Sequence, residues 1–99
     1  MFRGTTPTNR FEVEVDLTTA TAIYITYKQG NTIAFEYSSN DIVVTSNSLT
    51  VTLTQQDTLK LVSGKEVQIQ IRAKFSDGTA IASNIIHTTA DEILKDGAI

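Results

Sequence analysis

Residues 65–86, KEVQIQIRAKFSDGTAIASNII, constrain the fold more than any other stretch of the chain. Val67, Ile69, Ile71, Ala73 and Phe75 alternate without a slip against Glu66, Gln68, Gln70, Arg72 and Lys74. A period of two puts successive side chains on opposite faces, so this is a strand with one face in a core and one in water. Asp77-Gly78 then turns the chain into a second β-like run. Asp-Gly between two such runs signals a tight type I′ hairpin, which needs positive φ at both central positions. The expected fold is therefore built from antiparallel β-structure.

With 99 residues the chain is expected to form a single domain, 1–99. A chain of this size buries roughly 60–65 % of its unfolded surface, enough for one modest core. There is no cysteine, which excludes disulfides, thiolate metal sites and cysteine nucleophiles. The net charge of -3 argues against binding a phosphate backbone, so no nucleic-acid partner is expected. No apolar run approaches the ~20 residues of a membrane helix, and no membrane partner is expected. Met1-Phe2-Arg3-Gly4 leads straight into a polar Thr/Pro segment, so no signal peptide is expected either.

Residues 1–10 read as an extended arm, because Pro7 cannot donate to a ladder and biases Thr6 away from helix. Phe11, Val13 and Val15 open a first strand, with Glu12, Glu14 and Asp16 on its other face. Ile23, Ile25 and Tyr27 form the apolar side of a second, and Ile33, Phe35 and Tyr37 that of a third, across a Gln29-Gly30-Asn31 turn. Ile42-Val43-Val44 shows no alternation and is either covered on both faces or placed at an edge. Leu49, Val51 and Leu53 alternate with Thr50, Thr52 and Thr54 as a fifth strand. Thr54 to Asp57 has the form of a capped helical turn that drops Leu59 and Leu61 into the core. A last strand is expected near 79–87. Thr89-Ala90-Asp91-Glu92 has the form of a capping box, which predicts a short helix over 90–95 within an 88–99 tail. The sum is an all-β, immunoglobulin-like β-sandwich of about seven short antiparallel strands with a short C-terminal helix.

Chemistry-bearing residues are few. His87, the only histidine, lies near Asp91 and Glu92 in sequence, but one imidazole and two carboxylates match no recognised ligand spacing. Glu12, Glu14 and Asp16 share a strand face, yet same-face neighbours sit ~6.6–6.8 Å apart, too far to converge on one cation. They read as a solvated face facing Arg72 and Lys74 across strands. The serines show no nucleophile elbow, and single glycines at turns make no phosphate loop. No catalytic residue, metal ligand or cofactor is therefore expected, and an enzyme is not. Tyr27 and Tyr37 fall on apolar faces and read as core or core rim. Tyr24 faces the other way and is the one aromatic available to a ligand such as carbohydrate.

Three segments carry a resemblance: Arg3-Gly4-Thr5-Thr6-Pro7-Thr8, Val51-Thr52-Leu53-Thr54-Gln55-Gln56-Asp57-Thr58-Leu59, and Val67–Arg72 with Asp77-Gly78-Thr79-Ala80 and Asp91–Gly97. Together they resemble small uncharacterised structural proteins of phages and prophages of Gram-positive gut Firmicutes. The layout is also loosely similar to β-sandwich modules of siphophage baseplates. The resemblance implies a non-enzymatic structural or assembly component of a tail or baseplate. Its partners would be copies of itself, as a homo-oligomer, or other virion proteins, and its place the virion or, during assembly, the host bacterial cytoplasm. The alternative is a carbohydrate-binding module for host-surface attachment, with Tyr24 at its site.

Overall fold

The computed structural model describes all 99 residues, and two antiparallel sheets face each other across one core. The strands are β1 (Thr8–Glu12), β2 (Ala22–Gln29), β3 (Thr32–Ser38), β4 (Ile42–Val44), β5 (Ser48–Thr52), β6 (Glu66–Lys74), β7 (Ala80–Ala82) and β8 (Ile86–Thr89). A single helical turn, α1 (Gln55–Thr58), follows β5, capped by the Thr54 hydroxyl accepting from the Asp57 amide. The smaller sheet runs β1-β5-β4 and the larger β3-β2-β6-β7, with β8 pairing the same edge of β6 as β7 does. The fold is the all-β sandwich that the alternation implies.

β2 and β6 pair at the centre of the larger sheet, with Ile25 opposite Ile71 and Tyr27 opposite Ile69. Their inward residues meet Leu49 and Val51 of β5, and Ile25, Tyr27, Leu49, Val51 and Val67 are wholly enclosed. Tyr27 stacks on Phe35 with centroids 4.6 Å apart, and Tyr37 meets both rings edge-on at 6.1 and 5.8 Å. Offset and edge-to-face pairs let ring edges meet ring faces, which adds to the burial itself. Phe11, Val13 and Phe75, expected inside, are only partly buried at the rim of this core.

Local geometry departs from the sequence expectation in five places. The hairpin at Asp77-Gly78 is not type I′. Gly78 has φ +89°, but no residue other than glycine has positive φ, so Asp77 cannot supply the second such position. Instead the Gly78 amide donates to Phe75 O (3.0 Å) and the Phe75 amide to Thr79 O (2.9 Å). That is a three-residue loop, a type I turn closed by a glycine in the left-handed region. In β3, Tyr27 pairs with Phe35 while Lys28 pairs with Ile33, leaving Ala34 as a bulge. One extra residue inverts the alternation, so Ile33 faces solvent at 58 % exposure rather than the core.

The expected last strand is two. Between the pairs Arg72–Ala82 and Ile69–Ile86, β6 advances three residues and its partner four. Ser83 accommodates the slip: its hydroxyl accepts from the Ile71 amide at 3.0 Å, where a ladder carbonyl would stand. Residues 90–95 form no helix. The Ala90 amide donates to Lys65 O and the Asp91 amide to Met1 O, which extends strand-like pairing beyond β8. A six-residue helix alone in water is marginal, and it loses to these bonds.

Nor do residues 1–10 remain an arm throughout. Thr8–Arg10 belong to β1, and the preceding residues are tied down. Arg3 donates Nε to Leu61 O (2.6 Å), Nη2 to Leu59 O (3.0 Å) and Nη1 to Asp96 Oδ1 (3.0 Å). Thr58, fully buried, donates its hydroxyl to Thr5 O and accepts from the Thr5 amide. Gly4 sits beneath them with φ +66°, and an added Cβ would lie 3.0 Å from Ile93 Cδ1 and 3.2 Å from Leu59 Cδ2.

The two glycines predict unequal costs. Gly78→Ala should lose about 1 kcal/mol from backbone conformation alone, because nothing lies within 4 Å of its added Cβ. Gly4→Ala should lose about 2–3 kcal/mol, since overpacking joins the same strain. Urea unfolding of both variants measures this, and equal losses would contradict the packing around Gly4.

Candidate functional site

The larger sheet is wider than the smaller one, and the mismatch leaves an open cleft beside β1. About 590 Å³ of space lies between residues 10–15 and the inner face of β6, β7 and the start of β8. Ile71, Ala73, Ile81 and Ile86 form the apolar floor, with Phe11 and Val13 as one wall. A second hollow of about 370 Å³ shares Arg10, Phe11 and Ile86 and continues toward Pro7, Ile69 and Thr88. The two make one groove alongside β1.

The edge of β1 that borders this groove is unpaired. Pro7 O accepts from the Leu53 amide and the Val13 amide donates to Asn47 O, so odd-numbered residues face β5. In an antiparallel ladder each residue turns both polar groups to one side and its neighbour turns both to the other. Thr8, Arg10 and Glu12 thus present their amides and carbonyls to the groove, and no strand of the chain pairs them. At the other edge of the smaller sheet lies β4, with Val43 66 % exposed. That settles Ile42-Val43-Val44 as an edge strand.

Of the residues singled out from sequence, few come together. His87 does not meet Asp91 or Glu92; its Nδ1 lies 2.9 Å from Glu66 Oε1, across the β6–β8 ladder. The hydrogen bond from His87 holds the Glu66 carboxyl below its ordinary range. Glu12, Glu14 and Asp16 do not share a strand, since β1 ends at Glu12. Nor do they face Arg72 and Lys74, which belong to the other sheet. Glu12 pairs with Arg10 at 3.1 Å, and Asp16 accepts from the Thr18 hydroxyl and amide, bonds that lower its pKa. Tyr24, 44 % exposed, stands on the outer face of the larger sheet between Ser38 and Arg72. Phe2, the other exposed aromatic, is in the N-terminal arm and not beside it.

Tyr27 and Tyr37 lie inside, and their hydroxyls are committed. Asn9 Nδ2 donates to the Tyr27 oxygen at 2.6 Å, joining β1 to β2 across the sandwich. Tyr37 donates to Asp57 Oδ2 at 2.7 Å and accepts from the Thr54 amide at 3.2 Å, fixing α1 to β3. Burial pushes both phenols up to about 12. Burial also works to raise Asp57, but the Tyr37 hydroxyl, Lys60 and Thr54 outweigh it and hold the carboxyl below its ordinary range.

Periodicity marks β1 and β6 as two-faced strands but cannot show that one edge of β1 stays free or that Ile81 and Ile86 beside it stay partly open. The groove was therefore missed from sequence, and its only trace there is an apolar face on a strand followed by a polar bend. Compared with known protein families, curated proteins and solved structures, the chain matches none.

The tyrosines set the alkaline behaviour. Their folded pKa values lie above the ordinary 10.0, so the unfolded chain gives up these protons first. Stability should hold below pH 10 and fall as pH rises from 10 toward 12. Absorbance at 295 nm followed alongside circular dichroism should show two of the three tyrosines ionising only near pH 12, together with unfolding. All three ionising near pH 10 with the fold intact would contradict the buried network.

Proposed function

We propose that this protein works by contact rather than catalysis, as a structural or assembly component of a phage or prophage virion, in the tail or baseplate. The observation that carries the reading is the open cleft over Ile81 of β7 and Ile86 of β8, next to the free edge of β1. Unpaired strand edges are templates for pairing with another chain unless something blocks them. Exposed apolar surface beside such an edge adds a hydrophobic reason for a partner to stay. The resemblance of three segments to phage structural proteins supplies the setting. The titratable groups with close partners are engaged among themselves: His87 with Glu66, Asp57 with Tyr37 and Lys60, Asp16 with Thr18.

A second reading, attachment to host-surface carbohydrate, rests on Tyr24. It is exposed on the outer sheet face next to Arg72, an arrangement of one ring and one cation that could stack on and hydrogen-bond a sugar. No further exposed ring stands beside it, which leaves the contact reading the stronger.

Multi-angle light scattering, with co-purification from cells expressing candidate tail proteins, separates the readings. The contact reading expects a mass that is a multiple of 10.8 kDa, or a stable complex with a tail protein. A strict monomer at high concentration that captures none of them would contradict it. Selective binding on a glycan array, lost in Tyr24→Ala, would transfer the assignment to carbohydrate.

A further inference from the structure

We infer that the groove beside β1 is an acceptor for one extended strand of another protein, whose residues alternate apolar and basic. The inference rests on the contact reading above and specifies the partner's chemistry at that surface. Three features define the occupant. The first is backbone. Thr8, Arg10 and Glu12 offer amides and carbonyls to the open side, and a strand laid along them becomes the fourth of the smaller sheet.

The second is the floor. Such a strand turns alternate side chains inward, over Ile71, Ala73, Ile81 and Ile86. Those inward positions call for apolar residues of Val or Ile size, as on any strand closing a sandwich core. The third is charge. The strand's outward side chains become cross-strand neighbours of the outward side chains of β1, Arg10 and Glu12, with Glu14 just beyond. Arg10 is already paired with Glu12 at 3.1 Å, while Glu14 and Asp16 have no basic partner. Opposite charges across a pair stabilise and like charges destabilise. Outward lysine or arginine fits this edge, and outward glutamate does not.

A second copy of this chain fits poorly. The C-terminal segment Ile93-Leu94-Lys95-Asp96 is held near Gly4 and Arg3 by Ile93 and Asp96, and it places apolar and polar residues in pairs rather than in alternation. Docking β1 edge to edge with another β1 would bring two overhanging β6–β8 flanks into the space that one strand fills. The other free edge of the smaller sheet, β4, is only three residues long and carries no basic side chain, so the occupant is a strand from a different protein.

The test uses the whole isotope-labelled protein and two capped hexapeptides, Lys-Val-Lys-Val-Lys-Val and Glu-Val-Glu-Val-Glu-Val, titrated by NMR. The basic peptide should shift the amides of Thr8, Arg10 and Glu12 and the methyl groups of Ile71, Ile81 and Ile86. It should bind about tenfold more tightly than the acidic one, because Glu12, Glu14 and Asp16 outnumber Arg10 along this border. Glu12→Lys with Glu14→Lys, both exposed and outside the core, should reverse that order. Equal binding of the two peptides, shifts on the Tyr24 face instead, or no shift at millimolar peptide would each overturn the inference. So would concentration-dependent shifts of the same amides without peptide, which would give the groove to a second copy. Co-purification with a tail protein despite peptide failure would remove this inference and leave the contact reading standing.

Discussion

A sheet of three strands cannot cover one four strands wide. That mismatch shapes the molecule. β5 and its neighbours bury the inner faces of β2, β3 and β6. Past β6 the cover is incomplete, and Ile81 of β7 and Ile86 of β8 stay partly open. The usual solution in a small sandwich is another strand, and in this chain neither terminal segment of residues 1–99 supplies it. Its N-terminal arm is fixed over α1 by Arg3 and Thr58, and its C-terminal segment pairs with Met1 and Lys65 instead of crossing to the groove.

Given so narrow a cover, the sheets are held together by more than apolar burial. Tyr27 fills the centre with its ring and reaches β1 with its hydroxyl, where Asn9 meets it. Tyr37 does the same for α1 through Asp57 and Thr54. Every buried side-chain nitrogen or oxygen has a partner, so these polar contacts carry no orphan cost. A phenol supplies both terms at once: a large apolar body and a donor–acceptor at its tip. Phenylalanine at 27 would keep the stacking and leave Asn9 half-buried without its partner.

Alternation told most of the fold. The β2 and β6 faces, the burial of Tyr27 and Tyr37, and the capped turn at Thr54 were readable because each depends on residues adjacent in sequence. What escaped depends on partners distant in sequence. Ala34 is a bulge only because β2 and β6 fix the register of Tyr27, which sends Ile33 outward. Ser83 breaks the last strand because its hydroxyl can reach the Ile71 amide. Thr89 to Glu92 has the residues of a capping box, but Lys65 and Met1 offer Ala90 and Asp91 better-placed carbonyls than a short helix could. His87 met Glu66 for the same reason, through a ladder that brings residues 66 and 89 opposite each other. The groove was least legible, since an uncovered face and a covered one have the same alternation.

The central claim, that β1 is paired on one side and open on the other, is testable residue by residue. Native-state hydrogen exchange of the β1 amides at low protein concentration reads it directly, because paired amides are protected and edge amides are not. The account expects the amides of Asn9, Phe11 and Val13 to exchange slowly, and those of Thr8, Arg10 and Glu12 to exchange nearly as fast as an unfolded chain. Uniform protection along 8–13 would contradict it by showing the outer edge already paired. Uniformly fast exchange would contradict it from the other side, by showing that β1 does not join β5 at all.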